Sequence, residues 1–292
     1  MMKSFFVCLF ACLFFIPAFA QQPARFSYAI KGNDTLWMDH YAPSATPNRV
    51  SVLFIHGGAF TNGSPDQQKP MAEGLANMGY NVFVISYRLY MKGRGFGCEI
   101  PTQEKLKAIR LAVEDAADAT KYLLNNATKL NVDPRKLILS GSSAGAETAL
   151  QLMYNPFETG NPAEYEFMNK FQFAGAMIFA GAVVDINLVT KKTWIPTLFM
   201  HGTEDPLVPY ATAAHHYCQA DKPGWLILFG PKTLYDWAVA HDAPCVFYSY
   251  EGEKHNVSGY MFKEFDKMDA FMKAAVNGTF EGQQLVDIPK QQ

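Results

Sequence analysis

Short apolar runs alternate along the chain with longer segments whose apolar residues recur every three or four positions. The runs at 50–55, 80–87, 137–139, 175–179, 196–201 and 245–250 are strand-length and nearly continuous in Val, Ile, Leu, Phe and Met, as expected of strands buried on both faces. Two further short strands are expected at 26–30 and 35–41, joined by the turn Lys31-Gly32-Asn33-Asp34. Helical spacing predicts helices over 70–78 (Met71, Leu75, Met78), closed by Gly79, and over 103–128 (Leu106, Ile109, Val113, Ala116, Ala117, Thr120). More helices are expected from Ala144 to near Tyr154, where Asn155-Pro156 breaks the pattern, and over 210–218, 232–240 and 259–276. Residues 88–102 read as an irregular loop with Gly93, Gly95, Gly97 and Pro101, and 155–172 as a small flap or a short extra helix. Strands alternating with helices define an α/β chain: a mostly parallel sheet of about eight strands with helices on both faces. No repeat or linker divides residues 21–292, so one domain is expected there.

The first twenty residues stand outside this pattern. Lys3 precedes an apolar stretch at 5–16, and Ala18-Phe19-Ala20 offers small residues where a signal peptidase cuts. The stretch is shorter than the ~20 residues that span a bilayer. Residues 1–20 are therefore read as a cleaved export signal and the mature protein as secreted or periplasmic, with no stable membrane insertion. Lipid attachment at Cys12 is the weaker alternative, because Phe10 suits that signal poorly. Of the 292 residues 49% are hydrophobic and 18% charged, enough for a sizeable core, and a formal charge of −2 gives no basic field for nucleic acid. Export leaves Cys98, Cys218 and Cys245, of which two can pair, but spacing does not say which two. Their scatter is not that of a metal site, and no metal or organic cofactor is expected.

In a parallel sheet, ligands collect beyond the carboxyl ends of the strands. That rule selects the segment from His56 to Phe60, with Tyr87, Arg88, Ser143, Asp185, Asp205 and His255. Gly141-Ser142-Ser143-Ala144-Gly145 lies between an apolar strand and a helix-forming run, a context in which a central serine is lifted above the sheet on a sharp turn. A serine hydroxyl becomes a nucleophile only when a base takes its proton and an acid orients that base. His255 is the candidate base, in a glycine-containing loop after the run 245–250. His40 and His241 read as surface residues, His215 and His216 as helical residues facing solvent or a neighbour, and His201 as support for the next loop. Asp205 is the candidate acid, between His201-Gly202 and Pro206; Glu204 is its nearest rival and Asp185 a reserve in the same chain order. An anion hole needs backbone N–H groups aimed at a developing oxyanion. Ala144, at the start of the helix after Ser143, and Gly57 and Gly58 are placed to supply them, with Ala59 a further donor. Phe60 and Tyr90, with Phe96, are candidates for the substrate pocket.

Taken together, His56-Gly57-Gly58, Tyr87-Arg88, Val132-Asp133-Pro134, the turn from Gly141 to Gly145, His201-Gly202 with Asp205-Pro206, and His255 resemble the α/β-hydrolase fold family over roughly residues 26–276. The resemblance is to its carboxylesterase and lipase branch, including hormone-sensitive-lipase-like and bacterial acetyl- and feruloyl-esterase-like enzymes. It implies Ser143 as nucleophile, His255 as base, Asp205 as acid and a structural role for Arg88. Two departures stand out. Ala59 replaces the third glycine of the hormone-sensitive-lipase group and Ser142 its aspartate, and that group's N-terminal cap is missing. The resemblance implies hydrolysis of small-molecule or polysaccharide-linked esters, short-chain or carbohydrate-linked, at an open site. Rival readings are a prolyl-oligopeptidase-like peptidase, for whose propeller the chain has no room, and a hydrolase-like binding module, which would not need all three residues.

Overall fold

The computed structural model describes residues 22–155 and 162–290; the export signal expected over 1–20 and part of the 155–172 segment fall outside them. The chain opens with an antiparallel hairpin of β1 (Ala24–Lys31) and β2 (Asp34–Tyr41). There follow β3 (Ser51–Ile55), α1 (Lys69–Asn77), β4 (Asn81–Ile85), α2 (Thr102–Asn125), β5 (Leu137–Ser142), α3 (Ala144–Tyr154), β6 (Gly175–Phe179) and β7 (Thr197–Gly202). The remainder is β8 (Thr212–Ala214), β9 (Ile227–Phe229), α4 (Pro231–His241), β10 (Cys245–Tyr250), α5 (Phe265–Val276) and β11 (Gln283–Ile288). Nine strands form one sheet in the order β1-β2-β4-β3-β5-β6-β7-β10-β11, while β8 and β9 pair separately. From β4 to β11 every neighbouring pair in the large sheet is parallel; β2 runs antiparallel to β4.

Alternate residues of the buried strands feed two cores. Leu53 and Ile55 of β3, Leu137 and Leu139 of β5, and Phe83 and Ile85 of β4 point to one face, where α2, α3 and α4 cover them. Val52, Phe54, Ile138, Val82 and Val84 point to the other, beneath Met71 and Leu75 of α1 and Met268, Phe271 and Met272 of α5. This two-residue period is why these strands read as continuous apolar runs. A layer of helices on each face then removes both sets from water.

Three expectations need correction. Residues 210–218 form no α-helix: Thr212–Ala214 is a strand paired with Ile227–Phe229, and His215–Tyr217 is one 3-10 turn with a left-handed residue inside it. Alanine-rich Thr212-Ala213-Ala214 suits a helix locally, but pairing with a partner strand overrides that weak preference. The final helix begins at Phe265, because His255–Phe262 is a 3-10 segment. The edge strand β11 was not expected: Gln283, Gln284 and Asp287 disguise it, as polar residues commonly do at a sheet edge.

In its described part the 155–172 segment takes the second of its two expected forms, a short extra helix. It forms a 3-10 helix over Pro162–Asn169. Its Met168 and the nearby Phe173 line a cleft with Leu152, Met153 and Tyr154 at the far end of α3. At the helical rise of 1.5 Å per residue that is roughly 15 Å from the serine.

Candidate active site

The strand-end rule gathers the site. β5 ends at Ser142, and Ser143 follows with φ 52° and ψ −123°, a conformation a side-chain-bearing residue adopts only under constraint. The constraint comes from both sides. A Cβ on Gly141 would overlap the carbonyl of Gly145, and a Cβ on Gly145 would overlap the carbonyls of Ile55 and His56. The Ser143 N–H donates to the Phe179 carbonyl at 2.8 Å, and the hydroxyl of Ser142 donates to the Ser258 carbonyl at 2.7 Å. Ser142 thus ties the serine turn to the 3-10 segment that carries His255, a contact no sequence motif announces.

Ser143 Oγ lies 2.8 Å from His255 Nε2, and His255 Nδ1 lies 2.7 Å from Asp205 Oδ2. Asp205 is buried, and its Oδ1 accepts from the N–H groups of Leu207 (2.9 Å) and Val208 (3.0 Å). Burial by itself would raise the Asp205 carboxyl, but the hydrogen bonds and charges of His201 and His255 hold it well below the ordinary carboxylate range. An ionised Asp205 can only accept, so the proton sits on His255 Nδ1 and Nε2 is left to accept from the serine hydroxyl. His201 sits under the acid: its Nε2 lies 3.0 Å from the Val208 carbonyl and 3.3 Å from Asp205 Oδ2. The arrangement suits proton transfer from Ser143 to an oriented imidazole.

The turn after β3 faces the same serine. A Cβ at Gly57 would stand 2.9 Å from the Ser142 carbonyl and 3.2 Å from Ser143 Cβ, so the absence of a side chain lets this loop close on the turn. Gly58 (φ 117°) and Ala59 (φ 52°) turn the chain. Among the described residues the N–H groups of Gly58, Ala59 and Ala144 have no hydrogen-bond acceptor. Ala144 is the first residue of α3, where the helix dipole adds positive potential. His56 is buried, stacks on Tyr87 with ring centroids 4.5 Å apart, and holds its Nδ1 2.6 Å from the Gly57 carbonyl. Burial pushes it down to about 4, partly opposed by that carbonyl, so it is a neutral brace for the glycine turn.

Several candidates lie elsewhere. Asp185 caps a 3-10 turn by accepting from the Asn187 N–H at 2.9 Å, and Glu204 takes no part in the hydrogen bonds that hold His255. Phe60 is fully buried between Tyr87 and Phe96, so the expectation that it lines a substrate pocket is replaced by a packing role. Tyr90 spends its hydroxyl on Glu104 (3.1 Å), with Arg94 and Lys107 over its ring, an arrangement that braces the loop after β4. Arg88 is structural: its backbone N–H donates to Asp115 at 2.7 Å and its guanidinium to Asp115 (2.8 Å) and Glu114 (2.8 Å) on α2. Cys98 and Cys218 form a disulfide, and Cys245 is a buried free thiol. His215 is buried against Glu147 of α3, with 3.2 Å between Nε2 and Oε1, so of its two expected settings it takes the one packed against a neighbour, on a 3-10 turn rather than an α-helix.

A nine-stranded, largely parallel sheet with a strained serine turn at the end of its central strand defines the α/β-hydrolase class. Residues 38–177 match the family model described as BD-FAE. The fold is similar to that of Thermogutta terrifontis esterase 2, with a TM-score of 0.62, 20% identity, and coverage of 89% of this chain and 95% of that one. In sequence the chain is 26% identical over 201 residues to the uncharacterised protein YfhR of Escherichia coli K12, covering 64% of this chain and 65% of YfhR. It is 31% identical over 101 residues to the ethyl acetate hydrolase of Pseudomonas putida, covering 34% of this chain and 27% of that protein. The chain thus has the α/β-hydrolase fold, and nearly half of it matches an esterase family model.

Proposed function

We propose that the protein is an exported serine hydrolase that cleaves short-chain or carbohydrate-linked carboxylic esters through an acyl-enzyme. The observation that carries this reading is the continuous hydrogen-bonded chain from Ser143 through His255 to Asp205. Ser143 Oγ attacks the ester carbonyl as His255 Nε2 takes its proton, and Asp205 stabilises the imidazolium. The N–H groups of Gly58 and Ala144, with Ala59 beside them, receive the oxyanion, while Gly57 permits their approach. The alcohol departs with the proton from His255, and water repeats the cycle on the acyl-serine. A disulfide between Cys98 and Cys218 suits an oxidising compartment and so agrees with export. The similarity to an ethyl acetate hydrolase supports a short acyl group.

The test is hydrolysis of 4-nitrophenyl acetate by wild type and Ser143→Ala. Turnover is expected to fall about 10⁴-fold or more, with an unchanged thermal melt. A fluorophosphonate probe should label wild type and not the variant. Full activity in Ser143→Ala would overturn the assignment.

A further inference from the structure

We propose that Ser142 is a positioning residue for the hydrolysis, holding the imidazole of His255 within reach of Ser143 through the Ser258 carbonyl. This rests on the ester-hydrolase reading above. Ser142 is the last residue of β5, pairs with Phe179 of β6 and is buried. It stands in the middle of the large sheet, so its hydroxyl is carried by a rigid element. That hydroxyl has one proton to donate, and the Ser258 carbonyl takes it at 2.7 Å.

The acceptor lies on the weaker element. His255–Phe262 keeps 3-10 geometry for 8 residues, although runs beyond about three or four are uncommon because the hydrogen bonds align poorly. Such a segment holds its place only with outside support. Ahead of His255 the support comes from the end of β7. There the Glu204 N–H donates to the Glu253 carbonyl at 2.9 Å, and the Gly252 N–H to Thr203 Oγ1 at 2.9 Å. Beyond His255, the Asn256 side chain bonds only locally, to Glu253 (2.6 Å) and Tyr260 (3.3 Å). Among the described residues, the hydroxyl of Ser142 is the one hydrogen-bond donor from another element that reaches 256–262.

The position of Ser258 matters to the base. It follows His255 by one 3-10 turn, and residues so spaced lie on the same side of such a helix. Fixing the Ser258 carbonyl therefore fixes the direction in which His255 leaves the segment. Asp205 grips only the Nδ1 end of the ring, at 2.7 Å, whereas Nε2 must reach Ser143 Oγ, at 2.8 Å. With the backbone beyond His255 released, the ring pivots about the Nδ1 contact and the Nε2 distance opens. Ser142 thus joins nucleophile and base: Ser143 follows it in the chain, and its side chain anchors the base segment. Its carbonyl also faces the glycine turn after β3, where a Cβ on Gly57 would stand 2.9 Å away. Three parts of the site meet at this one residue.

The experiment measures kcat and KM separately for 4-nitrophenyl acetate, with a thermal melt, in wild type, Ser142→Ala, Ser142→Thr and Ser140→Ala. Ser140 is the control: it is buried on the same strand, and its hydroxyl donates to the Met177 carbonyl of β6 at 3.0 Å. Removing either hydroxyl leaves a backbone carbonyl without its donor, but only Ser142 holds the base segment. Misplacing a reacting group by about 1 Å costs up to about 100-fold, so Ser142→Ala is expected to lower kcat about 10–100-fold. KM should stay within about twofold, since the lost interaction acts in the transition state. Threonine keeps the donor and should return kcat to within about threefold of wild type. Ser140→Ala should lower the melt by a similar amount to Ser142→Ala and leave kcat within about twofold of wild type. Unchanged kcat in Ser142→Ala, a loss traceable to unfolded protein, an equal loss in Ser140→Ala, or a threonine variant no better than alanine overturns the positioning role. In each of those cases turnover by wild type leaves the hydrolase reading standing. If wild type cleaves no ester, the hydrolase reading falls and the role of Ser142 with it.

Discussion

Asp205 is the residue whose chemistry depends most on its surroundings. Four groups converge on one carboxylate: two backbone N–H groups, His255 and His201. Asparagine at this position would present an N–H or a weaker acceptor to His255 Nδ1 and favour the wrong tautomer. Asp205→Asn is therefore expected to lower kcat about 10⁴-fold, measured with 4-nitrophenyl acetate. The same substitution carries a pH signature. The folded carboxyl lies below its unfolded value of about 3.9, so its contribution to stability is fully present above that value. It is lost as pH falls through the folded value. The stability gap between wild type and Asp205→Asn in urea should thus narrow below about pH 4; a gap constant from neutral pH to pH 3 would contradict this account. That Ser143, His255 and Asp205 would meet was legible because each lies in the loop that follows an apolar run. Phe60 was misread because an aromatic beside a glycine turn looks the same in sequence whether it faces a pocket or the core.

At the scale of elements, the serine turn works only because three backbones approach each other at Gly141, Gly145 and the end of β3. Gly145→Ala drives a methyl into the carbonyls of Ile55 and His56, so β3 and α3 must separate. A loss of about 1–3 kcal/mol is expected in chemical denaturation, and under the proposed mechanism a fall in kcat exceeding any change in KM, because the turn positions Ser143. Unchanged stability would mean that the two elements part freely. The strands were readable because alternate residues feed two separate apolar faces, so almost every position is hydrophobic. The segment at 210–218 was not, since its conformation is decided by β9, more than ten residues away, and by the disulfide at Cys218.

Across the whole molecule, one covalent link and several buried histidines govern stability. The Cys98–Cys218 bridge closes a separation of 120 residues and fastens the loop carrying His216 to the segment after β4. Replacing both cysteines with serine should cost about 2–4 kcal/mol, seen as a lower thermal midpoint, and reduction should reproduce it. Acid has a predictable sign as well. Burial keeps His40 below its usual value, His56 at about 4 and His216 at about 3. All three are neutral when folded, while the unfolded chain takes up protons below about pH 6.5. Stability should therefore fall as pH drops from about 6.5 towards 4. His216→Asn should flatten that slope in a denaturation series; an unchanged slope would show that His216 keeps its proton uptake on folding.

The sequence by itself determined the α/β alternation, the two-faced sheet and the identity of the serine, histidine and aspartate that come together. These follow from local periodicity and from the rule that a parallel sheet exposes chemistry at its strand ends. Only the tertiary structure decided which cysteines pair, that Ser142 fastens the serine turn to the His255 segment, that β11 closes the sheet edge, and that His215 is buried while His216 is only half-buried. Each of these is a contact between segments distant in sequence. Adjacent histidines differ in burial because the backbone between them turns left-handed, a conformation imposed by partners that local pattern does not contain.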